Sequence, residues 1–143
     1  MNVNHAIEET VGFQLVQICK AHRNKAQEIL SRLDLHPGQE IMLFNLMQQD
    51  GQTQHELAEH MCVQPATMTK MVDRMVQAGF IVRIADTEDQ RVSRIHLSQK
   101  GRDMREPVQN AWYELESLSL SNLTTEERLL LRRLLLQIDR NLT

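Results

Sequence analysis

Aromatic side chains are scarce: three Phe, one Trp and one Tyr in 143 residues. That scarcity argues against a surface that reads single-stranded nucleic acid by stacking bases. Two cysteines, Cys19 and Cys62, are too few for a disulfide framework and suit a reducing, cytoplasmic setting. The five glycines do not cluster, so there is no loop of the kind that cradles phosphates. No apolar run exceeds four residues, whereas a membrane helix needs about 20. The start, Met1-Asn2-Val3-Asn4-His5, has neither a basic stretch nor an apolar core and predicts no secretory leader. The six histidines are scattered, and His55 and His60 point about 140° apart on an ideal helix. No His-x-x-x-His or Cys-x-x-Cys pair exists, so neither a metal nor another cofactor is expected. With no nucleophile–base pair in view either, an enzyme is not expected.

What is present is an ordinary globular composition, 41% hydrophobic and 24% charged, sized for one domain. The net charge of −3 conceals a segregation. Residues 64–102 carry seven Lys/Arg against four Asp/Glu, a local +3, while the rest of the chain sums to −6. A polyanion would meet that local basic face rather than the average.

Apolar residues at helical spacing predict a long, partly exposed helix over 5–33. Pro37 fits the first turn of a second helix whose inward stripe would be Ile41, Phe44 and Met47, ended by Asp50-Gly51. Thr53 and Glu56 have capping-box spacing before a short third helix that turns Leu57, Ala58 and Met61 inward. After a turn at His60 to Gln64, Pro65 opens a fourth helix. Its apolar stripe is Met68, Met71, Val72, Met75 and Val76, and its opposite face is Thr67, Lys70, Arg74 and Gln77. Gly79 can stop it. Phe80 to Ile84 and Arg94 to Leu97 alternate as strands around the polar loop 86–91. A further helix starts near Ser98, with Met104, Val108, Trp112 and Leu115 on one side; Pro107 should bend it or delay its start. Thr124 and Glu127 repeat the capping-box spacing before a Leu-rich helix over 125–141, too apolar all round for a solitary surface helix.

Helix, turn, amphipathic helix, then hairpin is the order of a winged helix-turn-helix. The exposed Thr67, Thr69, Lys70 and Arg74 have the chemistry to reach phosphates and base edges in a major groove. Residues 53–101 resemble the MarR (multiple antibiotic resistance regulator) family of bacterial transcription factors. The resemblance lies in Leu57-Ala58, in Thr67 to Met75, in Ala78 to Arg83, and in the wing signature Asp86-Thr87-Glu88-Asp89-Gln90-Arg91 followed by Ile95 to Gly101. Because the flanking helices also fit, it covers nearly the whole chain.

The resemblance implies a mainly α fold forming a single domain over 1–143. Within it, 35–100 would be the winged-helix lobe, and 1–34 with 101–143 the dimerisation helices. It implies a homodimer on a pseudopalindromic double-stranded operator, most simply a repressor released by a small effector. Contacts to DNA would come from Thr53, Gln64, Ala66, Thr67, Thr69, Lys70 and Arg74. On the wing they would come from Arg91, braced by Asp89, and from Arg94, which could equally pair with hairpin acids.

A cleft between the dimerisation helices and the lobe would take a planar aromatic anion, walled by Ile41, Phe44 and Met71, with Arg83 or His22 as counter-charge. Some relatives sense oxidants through a first-helix cysteine. That cysteine would fall near Gly12 rather than Cys19, so Cys19 and Cys62 are expected to be buried and inert. Thiol-based sensing, and a winged helix used only for protein assembly, are the alternatives. Operator, effector and regulated genes are not legible in the residues.

Overall fold

The computed structural model describes the backbone of residues 3–143 and the side chains from residue 6 onward. The reading of Met1-Asn2 as no part of a secretory leader lies outside the described residues.

The long first helix is in fact two, α1 (Val3–Glu8) and α2 (Val11–Ser31). Thr10 separates them: its extended backbone and its hydroxyl, which accepts from the Phe13 N–H at 3.1 Å, make a fresh N-cap. Only the last turns of α2 bury side chains, at Ala26, Ile29 and Leu30, whereas Val11, Val16 and Ile18 stay exposed.

Pro37 lies in the turn before α3 (Gln39–Gln48) rather than in its first turn, and Gly38 is the N-cap. Gly38 has φ 100, a conformation that a side chain would strain. The inward stripe of α3 also differs from expectation. Met42, Leu43 and Leu46 are fully buried, while Phe44 is 55% exposed and Ile41 and Met47 are half-buried. Six of the seven residues from Ile41 to Met47 are apolar, so periodicity cannot single out a face. Packing against the neighbouring elements does.

A two-residue strand, β1 (Gln52–Thr53), follows, for which the sequence carries no alternation signal. Thr53 then caps α4 (Gln54–Met61) in a full capping box. Its hydroxyl accepts from the Glu56 N–H at 3.1 Å and the Glu56 carboxylate accepts from the Thr53 N–H at 2.9 Å. Leu57 and Ala58 are buried and Met61 half-buried. α5 (Pro65–Gln77) buries Met68, Val72 and Met75, with Met71 and Val76 at the edge of the same stripe. β2 (Ile81–Ala85) and β3 (Ser93–Leu97) pair antiparallel from Ile81 opposite Leu97 to Ala85 opposite Ser93. β1 pairs on the other side of β3, giving the order β1-β3-β2.

Ser98 caps only the short α6 (Gln99–Arg102), and the long helix starts late, as α7 (Arg105–Ser119) with Pro107 in its first turn. At Gly101 a Cβ would come within 2.1 Å of the Phe80 carbonyl oxygen, so only glycine lets this turn lie against the start of the wing. α7 buries Val108, Ala111 and Leu115, but Trp112, expected on that side, is 42% exposed. α8 (Thr125–Leu142) has its capping box at Thr124 and buries no residue. Among the described residues no helix is long and apolar enough to cross a membrane.

One buried polar group ties the lobe together. The Gln52 amide nitrogen donates to the carbonyls of Asn45 and Gln49, at 3.2 and 2.7 Å. Its oxygen therefore faces His60 Nδ1, which must carry the hydrogen of that 2.7 Å bond. Fully satisfied, this network joins the ends of α3 and α4 at no desolvation cost beyond what its bonds return.

Candidate nucleic-acid interface

The turn between α4 and α5 holds Cys62 in the left-handed region, φ 53, and swings α5 out so that one face is free of the core. Gln64 is the N-cap of α5 but its side chain makes no capping bond. The first-turn amides consequently point outward, a ready place for an anionic oxygen. Ala66, Thr67, Lys70 and Arg74 are exposed on this face. Lys70 and Arg74 enter none of the ion pairs formed among the described residues.

Thr69 is engaged differently. Its hydroxyl donates to the Pro65 carbonyl at 3.1 Å and accepts from the Gln54 amide at 2.7 Å. Thr69 thereby ties Gln54, at the start of α4, to the same surface, a placement that pattern reading missed. Thr53 spends its hydroxyl acceptor on the helix cap and is half-buried.

In the wing, Asp89 holds Arg91 from three directions. One carboxylate oxygen accepts from the Arg91 N–H and Nε, both at 3.1 Å, and the other accepts from Nη2 at 3.3 Å. The Arg91 guanidinium hydrogen bonds, with the backbone bond second, hold the Asp89 carboxyl below its ordinary value. The Arg91 side chain itself is 90% exposed, so the brace aims it without covering it. Arg94 is turned inward. Nη1 donates to the Gly51 carbonyl at 3.0 Å and Nε lies 3.4 Å from Asp86, so of the two roles open to it the structure realises the hairpin pair. Arg83, on β2, pairs with Asp73 of α5 and so locks the wing to that helix.

The five residues expected to form an effector cleft are not brought together. Ile41 and Phe44 do line a cavity of about 490 Å³ between α3 and α7. Its other walls are Glu40, Met47 and Gln48 from α3 and Arg105, Val108, Gln109, Trp112 and Tyr113 from α7. Met71 is elsewhere, with its Cε 3.6 Å from where a Cβ on Gly38 would stand, and Arg83 is committed to Asp73. His22 is exposed on α2 and is not among the residues lining the cavity. Glu40, 5% exposed, accepts from the Gly38 N–H at 2.8 Å. Burial pushes its carboxyl up, against the smaller opposing pull of its own and Gly38's N–H groups. That Arg105, Trp112 and Tyr113 face Ile41 and Phe44 was hidden because this side of the cavity lies more than 60 residues away in the chain.

Cys19 and Cys62 are both exposed, contrary to the buried thiols expected. Cys19 sits on the exposed stretch of α2, and Cys62 sits in the left-handed turn, its Sγ 3.8 Å from the Glu59 carbonyl.

Comparison with known proteins places this geometry in context. The family model described as MarR family matches residues 35–93. The chain is 32% identical over 102 residues to the HTH-type transcriptional repressor MdtR of Bacillus subtilis (strain 168), covering 71% of this chain and 66% of MdtR. It superposes on the crystal structure of a probable transcriptional regulator from Pseudomonas aeruginosa with a TM-score of 0.85 at 27% identity, covering 92% of this chain and 98% of that one. A mutant MarR from E. coli, crystallised with operator DNA, shares the fold at a TM-score of 0.85 and 24% identity, over 96% of this chain and 99% of that one.

Proposed function

Since the chain belongs to the MarR family of HTH-type transcriptional regulators, we propose that it is a cytoplasmic, dimeric repressor that leaves a pseudopalindromic operator when a small aromatic acid binds. The single observation that carries this reading is the surface on which α5 presents Thr67 with Lys70 and Arg74, neither of them in an ion pair among the described residues, beside a wing whose Arg91 is exposed and braced. A face built only for solubility has no need of the Asp89 brace, because isolated surface pairs contribute about 0–1 kcal/mol.

Mechanistically, residues 35–100 act as the reading lobe, and 1–34 with 101–143 as the dimerisation helices. The symmetric dimer sets two copies of α5 about 34 Å apart, in successive major grooves. Lys70 supplies phosphate attraction, Gln64, Ala66 and Thr67 approach base edges at the helix start, and Arg91 enters the minor groove. Thr53 and Thr69 serve this surface by positioning, the one capping α4 and the other holding Gln54. Arg94 serves it by stiffening the hairpin. The exposed Leu129, Leu130, Leu134 and Leu135 of α8, and Val11, Val16 and Ile18 of α2, support the dimer. An effector favouring a dimer with the wrong α5 spacing weakens DNA binding by the factor with which DNA weakens the effector.

The test is selection of genomic duplex fragments by the purified protein, followed by isotherms on the selected and a scrambled duplex at several salt concentrations. Sequence-specific, salt-dependent binding supports the regulator. Absence of both leaves the protein-assembly alternative, and DNA release by peroxide that requires Cys19 or Cys62 favours thiol sensing over an organic effector.

A further inference from the structure

The side chains of Gln54 and Thr69 meet across the two helices of the helix-turn-helix. Gln54 is the first residue of α4 and half-buried, and Thr69 is exposed in the second turn of α5. The Thr69 hydroxyl has one hydrogen, and the Pro65 carbonyl, which can only accept, takes it at 3.1 Å. The lone pair turned to Gln54 therefore meets an amide N–H, at 2.7 Å, and this fixes which way the amide points. A primary amide has two N–H donors. The second one enters no hydrogen bond formed among the described residues. At about 100° per residue, Thr69 stands about 60° round the helix from Ala66 and about 100° from Lys70. It lies on the flank of the α5 face, on the side toward α4.

We propose that Gln54 donates its free N–H to a DNA phosphate at the rim of the groove that α5 enters, an uncharged clamp held ready by Thr69; this rests on the regulator reading above. The chemistry left on the amide suits phosphate better than a base. A glutamine that reads adenine must present its N–H and its C=O together, whereas a phosphate oxygen asks only for a donor. Position agrees, because the first helix of a helix-turn-helix crosses the sugar–phosphate backbone while the second enters the groove. A contact there fixes how α5 sits without itself reading sequence. Thr69 is the positioning residue. Its hydroxyl hydrogen is committed to Pro65, and it holds the amide in one orientation, so binding does not have to order a flexible side chain. Gln54 also differs from Lys70 in kind. A neutral donor releases no counterion, so its share of the affinity does not fade with salt.

The test uses the full chain on a selected genomic duplex and on a scrambled one, with isotherms at several salt concentrations. Gln54→Ala should weaken both duplexes alike, by about three- to tenfold, the range of one hydrogen bond, and leave the salt slope unchanged. Gln54→Glu should weaken binding further, because a carboxylate repels phosphate and has no N–H to give. Thr69→Val keeps the shape but frees the amide; it should weaken binding less than Gln54→Ala and add nothing to it in the double variant. A methylphosphonate, which removes one anionic oxygen, is then walked along the duplex. At one position in each half-site it should abolish the difference between wild type and Gln54→Ala. Gln54→Ala protein that melts like the wild type and binds both duplexes as tightly overturns the clamp and leaves the regulator reading standing. So does a loss in Gln54→Ala that no methylphosphonate position removes. A Thr69→Val effect confined to the selected duplex, and fully additive with Gln54→Ala, overturns it too, since Thr69 would then read a base itself. Should Thr69→Val fail to fold, Gln54→Ala and Gln54→Glu decide on their own. A wild type that binds neither duplex overturns the regulator reading together with the clamp.

Discussion

The middle of the chain and its two ends treat apolar side chains in opposite ways. α5 and α8 both carry an amphipathic or Leu-rich pattern, yet α5 has Met68, Val72 and Met75 fully buried whereas α8 buries no residue and leaves Leu129 67% exposed. The middle also satisfies its buried polar groups internally, as Gln52 does between α3, α4 and β1. The same chemical demand, removal of leucine from water, is met inside the lobe by the chain itself and is left unmet at the ends. The lobe is a finished core; the terminal helices are half of one.

The largest effect should come from removing an end. Truncation after Leu123 should yield insoluble or unfolded protein, because association and stability are then inseparable. A soluble, folded, DNA-binding monomer from that truncation would break the comparison outright.

Next in size is a substitution within the lobe. Leu57→Ala removes a side chain with no exposure and should cost about 2–5 kcal/mol of unfolding free energy in urea titration. Leu129→Ala should leave that cost below about 1 kcal/mol in dilute protein while raising the dimer dissociation constant, read by sedimentation. Equal costs at both positions would mean that α8 is covered within one chain after all.

Smaller effects divide the reading elements of the lobe. Arg91→Ala should cost about 1–3 kcal/mol on the operator and less on scrambled duplex, since a narrow A·T-rich minor groove concentrates the potential that attracts arginine. Asp89→Ala should mimic it weakly by releasing the brace. Lys70→Ala should instead weaken every sequence alike and reduce the salt slope by about 1. Unchanged operator affinity in folded Arg91→Ala protein would remove the hairpin from the DNA interface.

The smallest expected effect is on stability and belongs to Glu40. Burial raises its carboxyl in the folded chain, so the folded state holds that proton more tightly than the unfolded state. Its contribution is therefore most favourable below the ordinary carboxylate range and is lost as pH climbs from that range through the raised value. Glu40→Gln should cancel this loss. The melting temperature of the variant relative to wild type should rise between pH 4 and pH 7, and a difference independent of pH would place Glu40 in a wetter setting than its burial implies.

Where one pattern admits one solution, the residues alone sufficed. The stripe of α5 alternates cleanly with Thr67, Lys70 and Arg74, and the capping boxes at Thr53 and Thr124 are short-range chemistry, complete within four residues. The brace in the wing loop was legible only through the family resemblance, since Asp89 and Arg91, two apart in a loop, are by themselves an unremarkable surface pair; the structure forms it. α3 was misread because its residues 41–47 are apolar on almost every side, and nothing local distinguishes Phe44 from Leu43. β1 escaped notice because two residues cannot show a period, and Arg94 because its choice between phosphate, Asp86 and the Gly51 carbonyl depends on a neighbour 43 residues away.

The sequence by itself determined which segments could be helices and where caps could form, and its family resemblance pointed to a wing arginine braced by Asp89. Only the tertiary structure decided which face of α3 went inward, and hence that Glu40, Phe44, Arg105 and Trp112 would enclose one cavity. The physical reason is range. Caps and amphipathic stripes are settled by interactions over one or two turns, whereas a cavity exists only where two helices, distant in sequence, are held apart by what each has already buried.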